Sequence, residues 1–256
     1  MKSLTEIGLS ILASIKKLRG KDVKFKFNNS NSSISHDLWD ELLKKNVSTT
    51  GKVNYKGFVY DKQKLIEYTS LLSNNSPSIN WSEHKQLAYW INAYNSFTVL
   101  LIVNHYPLKS INDIGGNIPL INSVWDIKFF KIGSVDFDLN TIEHDILRKK
   151  FNEPRIHFAI NCASKSCPKL LDEAYVEEKL ESQLENQAID FINNNQYNQL
   201  SINKIKLSKI FKWFDVDFKK KQTIKEFISR YSKIKLEEPL EIDYLEYDWD
   251  LNELEN

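Results

Sequence analysis

One long apolar helix constrains the folding of this chain more than any other feature. Residues 82–107 read SEHKQLAYWINAYNSFTVLLIVNHYP, in which Ser82 is a suitable N-cap and Pro107 stops the helix. Apolar side chains fall on nearly every face of this segment, which is typical of a helix buried on most sides. The remaining elements must therefore pack around it.

The rest of the sequence predicts a mixture of helices and short strands. Helices are expected at 36–47, 61–73, 141–151, 172–195 and 223–232. Strands, some with turns, are expected within 125–132, 135–140, 155–161, 199–211, 212–218 and 240–253. Asn140 or Thr141 is expected to cap the helix at 141–151, and a Gly-Ser turn joins the first two strands in a hairpin.

These elements predict an α+β fold: a single mixed domain whose helical N-terminal part packs on a small, mostly antiparallel sheet. Residues 36–256 are expected to form this domain, and residues 1–35 an N-terminal helix and a polar turn. An amphipathic helix is favoured there because apolar residues recur three and four apart, at Leu4, Ile7, Ile11, Ile15 and Leu18. An atypical export signal is the alternative, although Glu6 and the lack of a clear cleavage site disfavour it.

Charge and hydropathy exclude several partners. The 256 residues include 35 Lys and Arg against 34 Asp and Glu, so no net field attracts nucleic acid or an anionic membrane. The apolar runs are shorter than the ~20 residues that a membrane span needs. We therefore expect a soluble protein, located in the cytoplasm or in the cell envelope (periplasm), with no nucleic-acid partner and no membrane span.

Both cysteines of the chain lie in RIHFAINCASKSCPKL, residues 155–170. Cys162 follows Asn161 at the point where an apolar segment gives way to a loop of small and polar residues, where functional side chains are concentrated. Lys165 in the same loop would lower the pKa of a nearby thiol. A buried, inert cysteine is the simpler interpretation, but this setting favours a reactive thiolate at Cys162, with Asn161 and Lys165 lining the site.

The choice of a base depends on the geometry of the segment before Cys162. In an extended strand, His157 lies about 16 Å from Cys162 at ~3.3 Å per residue, and an odd offset places it on the opposite face. His157 is therefore interpreted as a hydrogen-bonded sheet histidine. His144, on the preceding helix, is the better candidate base, and Glu143 either binds substrate or anchors the helix through Arg148 or Arg155.

Two structural alternatives use the same side chains. His144, His157, Cys162 and Cys167 match a zinc site by number, but their spacing is not that of a zinc finger. A Cys162–Cys167 disulfide is also possible, and it would block a nucleophile in an oxidising compartment.

Asn92 and Asn95, three apart on the long helix, either hold a neighbouring loop or orient the histidine. No metal and no cofactor are expected.

Several motifs together resemble the domain-of-unknown-function 547 family. They are QLAYWINAYNSFTVLLIVNHYP, SINDI, TIEHDILR, PRIHFAINCASKSCP and LEYDWDLN, and the resemblance covers about residues 36–252. The resemblance carries over Glu143 and His144, Cys162, and Asn92 with Asn95, but implies no established reaction. It also implies that bacterial members are often exported or associated with the envelope. The family often has glycine where this chain has Ala163, which restricts a positive φ.

The expected function is that of a cysteine-dependent acyl hydrolase or transferase with papain-like or transglutaminase-like logic. Cys162 would attack an acyl or thioester carbonyl, His144 would act as base, and Glu143, Asn92 or Asn95 would orient or bind the partner groups. The substrate would be a peptide or a small molecule. The alternatives are a non-catalytic, envelope-associated interaction domain held by a Cys162–Cys167 disulfide, and a zinc-stabilised module.

Overall fold

The computed structural model describes residues 25, 27, 28, 33–115 and 123–255. The predicted N-terminal helix lies outside these residues, and the proposed boundary at 35/36 stays a prediction. The described chain folds into an α+β structure, as the sequence predicts, with many helices and two small sheets. No helix among the described residues is long and apolar enough to cross a membrane.

Four α-helices precede the first strand in the described part of the chain. They are α1 (Asp37–Asn46), α2 (Tyr55–Tyr60), α3 (Lys62–Asn74) and α4 (Glu83–His105). The Ser82 side chain accepts the Lys85 amide and caps α4, as predicted. Nearly every residue of α4 between Leu87 and Val103 is buried, which confirms that this helix is the centre of the core. Two 3-10 turns follow, Ile111–Ile114 and Val124–Asp126.

A hairpin and a π-helix come next. β1 (Phe130–Ile132) pairs antiparallel with β2 (Val135–Phe137), which confirms the hairpin. The predicted helix at 141–151 winds as a π-helix over Thr141–Leu147 and continues as α5 (Arg148–Lys150). Its expected cap was wrong: the Asp138 carboxylate, rather than Asn140 or Thr141, accepts the Thr141 amide at 2.7 Å.

The segment before the cysteines corrects a sequence prediction. Residues 155–161 were expected to form a strand, but Ile156–Ala159 is a helical turn, α6. Pro154 explains the difference, because its fixed φ favours the start of a helix, and its carbonyl accepts the His157 amide at 3.3 Å. The 16 Å separation of His157 and Cys162, which assumed an extended strand, therefore does not apply.

The C-terminal half contains α7 (Leu180–Asn193) and a three-stranded sheet. β3 (Gln199–Leu200) pairs antiparallel with β4 (Lys204–Leu207), and β4 pairs parallel with β5 (Glu241–Tyr244). Residues 212–218, expected as strand and turn, instead belong to two short helices, α8 (Lys209–Trp213) and α9 (Asp215–Phe218). Ser208 caps α8 through the Ile210 amide, which a strand pattern does not reveal. α10 (Ile224–Tyr231) has the capping box expected of a helix at this point.

The two apolar clusters of the fold meet at α6. Ile156 and Ala159 belong to the cluster around α4, whereas Phe158 belongs to a second cluster built on α7, β4 and α8 to α10. The cysteine loop leaves α6 at this junction. Its position is consequently fixed from both sides.

Candidate functional site

Asn92 and Asn95 hold two loops against α4. The Asn92 amide pairs with both backbone groups of Tyr175, at 2.7 and 3.0 Å. The Asn95 side chain donates to the Ala159 carbonyl and accepts the Asn161 amide, both at 2.9 Å. Both asparagines are buried, so these bonds satisfy side chains that would otherwise be costly to bury. They hold neighbouring loops, which was one of the two predicted roles.

Asn161 stabilises the cysteine loop by hydrogen bonds of its side chain. Its side chain donates to the Pro168 carbonyl at 2.7 Å and accepts the Ala163 amide at 2.8 Å. Ala163 has a φ of 65°, in the left-handed region that glycine favours. The loop therefore requires the positive φ that an alanine at this position restricts, and the hydrogen bonds of Asn161 hold it there.

Cys162 and Cys167 form a disulfide, with their Cα atoms 6.2 Å apart. Cys167 is buried, at 4% exposure, whereas Cys162 is partly exposed. The Cys162 amide donates to the Cys167 sulfur at 3.0 Å. Since these are the only cysteines in the sequence, the chain in this state has no free thiol.

The C-terminal tail brings a tyrosine onto the disulfide. The Tyr247 hydroxyl lies 3.3 Å from Cys162 Sγ and 3.4 Å from Cys167 Sγ, and Ser164 Oγ is 2.9 Å from the same hydroxyl. The Lys165 amide binds the Asp250 carbonyl at 2.7 Å, which aligns the tail with the loop. Burial is the main cause that raises the pKa of Tyr247 well above its usual value. Tyr247 is therefore protonated and can donate.

Lys165 lies beside the site but has an acidic partner. Its ammonium is 3.3 Å from the Asp250 carboxylate, so part of its charge is neutralised. A reduced Cys162 would therefore depend on the hydroxyls of Tyr247 and Ser164 as well as on Lys165 to stabilise a thiolate.

His144 makes its hydrogen bond within its own helix. Its Nδ1 lies 2.9 Å from Nη1 of Arg148, and a guanidinium can only donate, so Nδ1 is the acceptor. The proton of a neutral His144 is consequently on Nε2. Arg148 also lies over the Phe214 ring and donates through Nε to Asp217 at 2.5 Å. While the disulfide is closed, Cys162 has no free thiol to pair with His144.

His157 is a buried, hydrogen-bonded histidine, although on a helical turn rather than in a sheet. Its Nε2 lies 2.9 Å from Asp217, and its ring stacks on Phe214 at 4.0 Å. Burial lowers the pKa of His157 to about 4 despite the carboxylate. Burial opposes the ionisation of Asp217, yet the hydrogen bonds from His157 and Arg148 hold the pKa of Asp217 well below its usual range.

Glu143 is a buried carboxylate at 8% exposure. Its hydrogen-bond partner is the Tyr94 hydroxyl, at 3.4 Å. Neither of the expected arginines pairs with it: Arg148 binds Asp217, and Arg155 binds Glu153, Glu181 and Glu185. The expectation that Glu143 anchors its helix through an arginine was therefore wrong.

Tyr247 belongs to a cluster of four aromatic rings, whose other members are Trp125, Trp213 and Trp249. The Trp249 ring lies 4.5 Å from Tyr247 and 5.9 Å from Trp213, measured between centroids. Trp213 is 37% exposed, so the cluster reaches the surface. Tyr247 joins this cluster to Cys162.

The four potential zinc ligands have separate partners. His144 binds Arg148, His157 binds Asp217, and the two cysteines bind each other. Within the described part of the chain, no group of three or more such side chains is arranged to hold a metal.

Comparison with known proteins gives a family match for one segment of the chain. Residues 78–192 match the family model described as "Protein of unknown function, DUF547". This segment of the chain belongs to the DUF547 family. It contains the two asparagines, Glu143, His144 and both cysteines, whereas Tyr247 lies outside it. No curated protein and no solved structure gave a match.

Sequence reasoning missed three contributors to the site. Tyr247 and Asp217 are distant along the chain from the cysteines and histidines that they contact, so no local spacing predicted them. Tyr247 lies in the motif LEYDWDLN, which carries part of the family resemblance. Arg148 was considered as a partner of Glu143. It lies four residues after His144, a spacing that brings two helical side chains together, and this local signal predicts the observed contact.

Proposed function

We propose that this DUF547 protein is a cysteine-dependent acyl hydrolase or transferase, with Cys162 as the nucleophile after the disulfide is opened. The observation that carries this proposal is the contact of the Tyr247 hydroxyl with Cys162 Sγ, at 3.3 Å. A protonated hydroxyl at this distance stabilises a thiolate on a partly exposed sulfur. The positive φ of Ala163 supports it, because such strain is concentrated at functional sites.

The proposed reaction has two steps. The Cys162 thiolate attacks the carbonyl carbon of an acyl compound, a carbon–sulfur bond forms, and the leaving group departs with its electron pair and takes up a proton. Water, or a second nucleophile in a transferase, then displaces the thiolate and releases the acid or the new acyl compound. This is the logic of papain-like and transglutaminase-like enzymes.

His144 is the proposed proton carrier. Because Arg148 donates to its Nδ1, His144 accepts a proton at Nε2 only after that hydrogen bond breaks and the proton moves to Nδ1. Opening of the disulfide would therefore have to be accompanied by a movement of Arg148. Glu143, buried beside Tyr94, is proposed to orient the groups that face the substrate.

The aromatic cluster of Trp125, Trp213, Tyr247 and Trp249 supports an acyl substrate with an apolar or planar group, either a peptide or a small molecule. Aromatic side chains bury a large apolar area against a ligand. They lose little conformational entropy on binding because only two χ angles are fixed.

Acylation of single-cysteine variants tests this proposal. Cys167→Ser leaves Cys162 free, and we expect it to form a thioester adduct with p-nitrophenyl acetate and to turn over. The matched variant Cys162→Ser, which leaves Cys167 free, should do neither. His144→Asn in the Cys167→Ser background should slow acylation about 100-fold. Equal acylation of the two single-cysteine proteins, or of native and urea-unfolded Cys167→Ser, would reject the proposal.

The observed disulfide favours a second candidate, a non-catalytic interaction domain held by a structural bond in an oxidising compartment such as the cell envelope. In that case, the Cys162→Ser/Cys167→Ser double variant should lose about 2 kcal/mol of unfolding free energy, as expected for closing a loop this short. Cys167→Ser should then show no acyl turnover.

A further inference from the structure

A small cavity reaches the buried side of the disulfide. It has a volume of about 170 Å³, and Cys167 forms part of its wall. This is room for several water-sized groups, hence for a small organic molecule. Cys167 lines this cavity and Cys162 does not, whereas the hydroxyls of Ser164 and Tyr247 both contact Cys162 Sγ.

The walls of this cavity carry positive charge. Three of its lining residues are Lys52, Lys165 and Lys169, and the others are uncharged: Thr50, Gly51, Cys167, Asn194, Gln196, Tyr197 and Asn252. Lys165 pairs with Asp250, and Lys169 with Asp190. Lys52 forms no ion pair with any described residue, so the cavity keeps an uncompensated cation.

The backbone holds Lys52 at this position. The Lys52 amide binds Ser48 Oγ at 3.0 Å, and the Lys52 carbonyl accepts the Ser48 amide at 2.9 Å. Gly51 has a φ of 79° and lies so close to Lys169 that a Cβ atom there would collide with it. The close approach of these two segments therefore builds the lysine-lined wall.

We propose that this cavity binds a small thiol that carries carboxylate groups, and that the bound thiol opens the Cys162–Cys167 disulfide at Cys167. This inference rests on the proposed use of Cys162, because it names what would set that nucleophile free. The carboxylates would lie against the lysines, and the thiol would approach the sulfur that forms the wall.

The chemistry balances as a thiol–disulfide exchange. The incoming thiolate forms a bond to Cys167 Sγ, the Cys162–Cys167 bond breaks, and Cys162 leaves with the electron pair as a thiolate beside Tyr247. A second thiolate attacks the mixed disulfide, releases Cys167 as a thiolate and leaves as the oxidised small-molecule disulfide. Two small thiols are oxidised and one protein disulfide is reduced. Attack at Cys167, rather than at Cys162, frees the nucleophile in the first step.

Reduction kinetics on the whole protein test this inference. The probes are mercaptosuccinate, which carries two carboxylates, neutral 2-mercaptoethanol and cationic cysteamine, at equal thiolate concentrations. Iodoacetamide traps the partly reduced protein for mass mapping. With mercaptosuccinate we expect the adduct on Cys167 and the alkyl group on Cys162. Lys52→Gln should slow reduction of the disulfide by mercaptosuccinate about fivefold. It should change the rate of reduction by 2-mercaptoethanol less than about twofold. Lys56→Gln, which removes an exposed lysine nearby, is the matched control.

An adduct on Cys162 would overturn the inference. So would equal effects of Lys52→Gln and Lys56→Gln, or a disulfide that resists all three thiols. None of these measurements needs acyl turnover. Selective opening at Cys167 without acylation of Cys162 would therefore reject the proposed function alone. Acylation of Cys162 without selective opening at Cys167 would reject only the proposed binding of a thiol in the cavity.

Discussion

The Tyr247 hydroxyl lies 3.3 Å from the Cys162 sulfur, although the two residues are 85 positions apart. The tail that carries Tyr247 is aligned with the cysteine loop by backbone bonds from Lys165 to Asp250 and from Asn252 to Ala163. The hydroxyl is therefore a fixed part of the sulfur environment. This relationship links the C-terminal motif to the chemistry of the loop.

Tyr247→Phe should make the reduced Cys162 thiol less acidic, because it removes a donor to the thiolate and keeps the ring. In the Cys167→Ser background, alkylation of Cys162 at pH 7 should slow about fivefold. Tyr244→Phe, on β5, is the matched control. In this variant, Cys162 should be alkylated at the same rate as in the Cys167→Ser parent. Equal alkylation rates for all three proteins would show that the hydroxyl contact has no effect on the thiol.

Asn95→Ala should destabilise the protein by about 2–4 kcal/mol, because it leaves the Ala159 carbonyl and the Asn161 amide buried without their partner. Asn104→Ala, at an exposed position of the same helix, should cost less than about 0.5 kcal/mol. Urea unfolding measures both. A small cost for Asn95→Ala would mean that the loop finds other partners.

Ala163→Gly should be nearly neutral, because relief of a left-handed alanine, about 1–2 kcal/mol, offsets the loss of a buried methyl group. Ala159→Gly removes an equally buried methyl from α6 with no strain to relieve, so it should cost about 1–2 kcal/mol. Thermal or urea unfolding compares the pair. Equal costs at the two positions would contradict the strain at Ala163.

His157 makes stability depend on pH. Burial lowers its pKa to about 4 in the folded protein, against 6.5 for the free side chain. Between these values the unfolded chain binds the proton and the folded chain does not, so stability falls as pH decreases from about 6.5 to 4. One such group contributes a slope of about 1.4 kcal/mol per pH unit.

His157→Gln should remove this contribution while keeping a donor to Asp217. Urea unfolding at several pH values between 4 and 6.5 measures the slope. Some slope should remain, because burial also lowers the pKa of His36 to about 4. A variant with the slope of the parent would show that His157 is not the group that titrates.

The sequence predicted the features that depend on local or periodic signals. The long helix α4 followed from its apolar faces and the Ser82 cap, and the hairpin from its turn. For the two asparagines of α4, the need of a buried amide for partners gave loop contacts as one of two roles. The α+β class followed from the mixture of these signals.

Features that depend on competing signals or on distant contacts were not predictable in the same way. A short apolar run such as 155–161 fits a strand or a buried helical turn equally well. The fixed φ of Pro154 favours the helical turn that is observed. The contacts of Tyr247 with Cys162 and of Asp217 with His157 join residues 85 and 60 positions apart, and no spacing rule reaches that far.

The alkylation rate of Cys162 at pH 6 tests the central claim most directly. In Cys167→Ser, Cys162 is the single thiol, and an ordinary thiol with a pKa of about 8.5 is less than about 1% ionised at this pH. The proposed nucleophile predicts that iodoacetamide labels Cys162 at least about tenfold faster than free cysteine. A rate equal to or below that of free cysteine would contradict it.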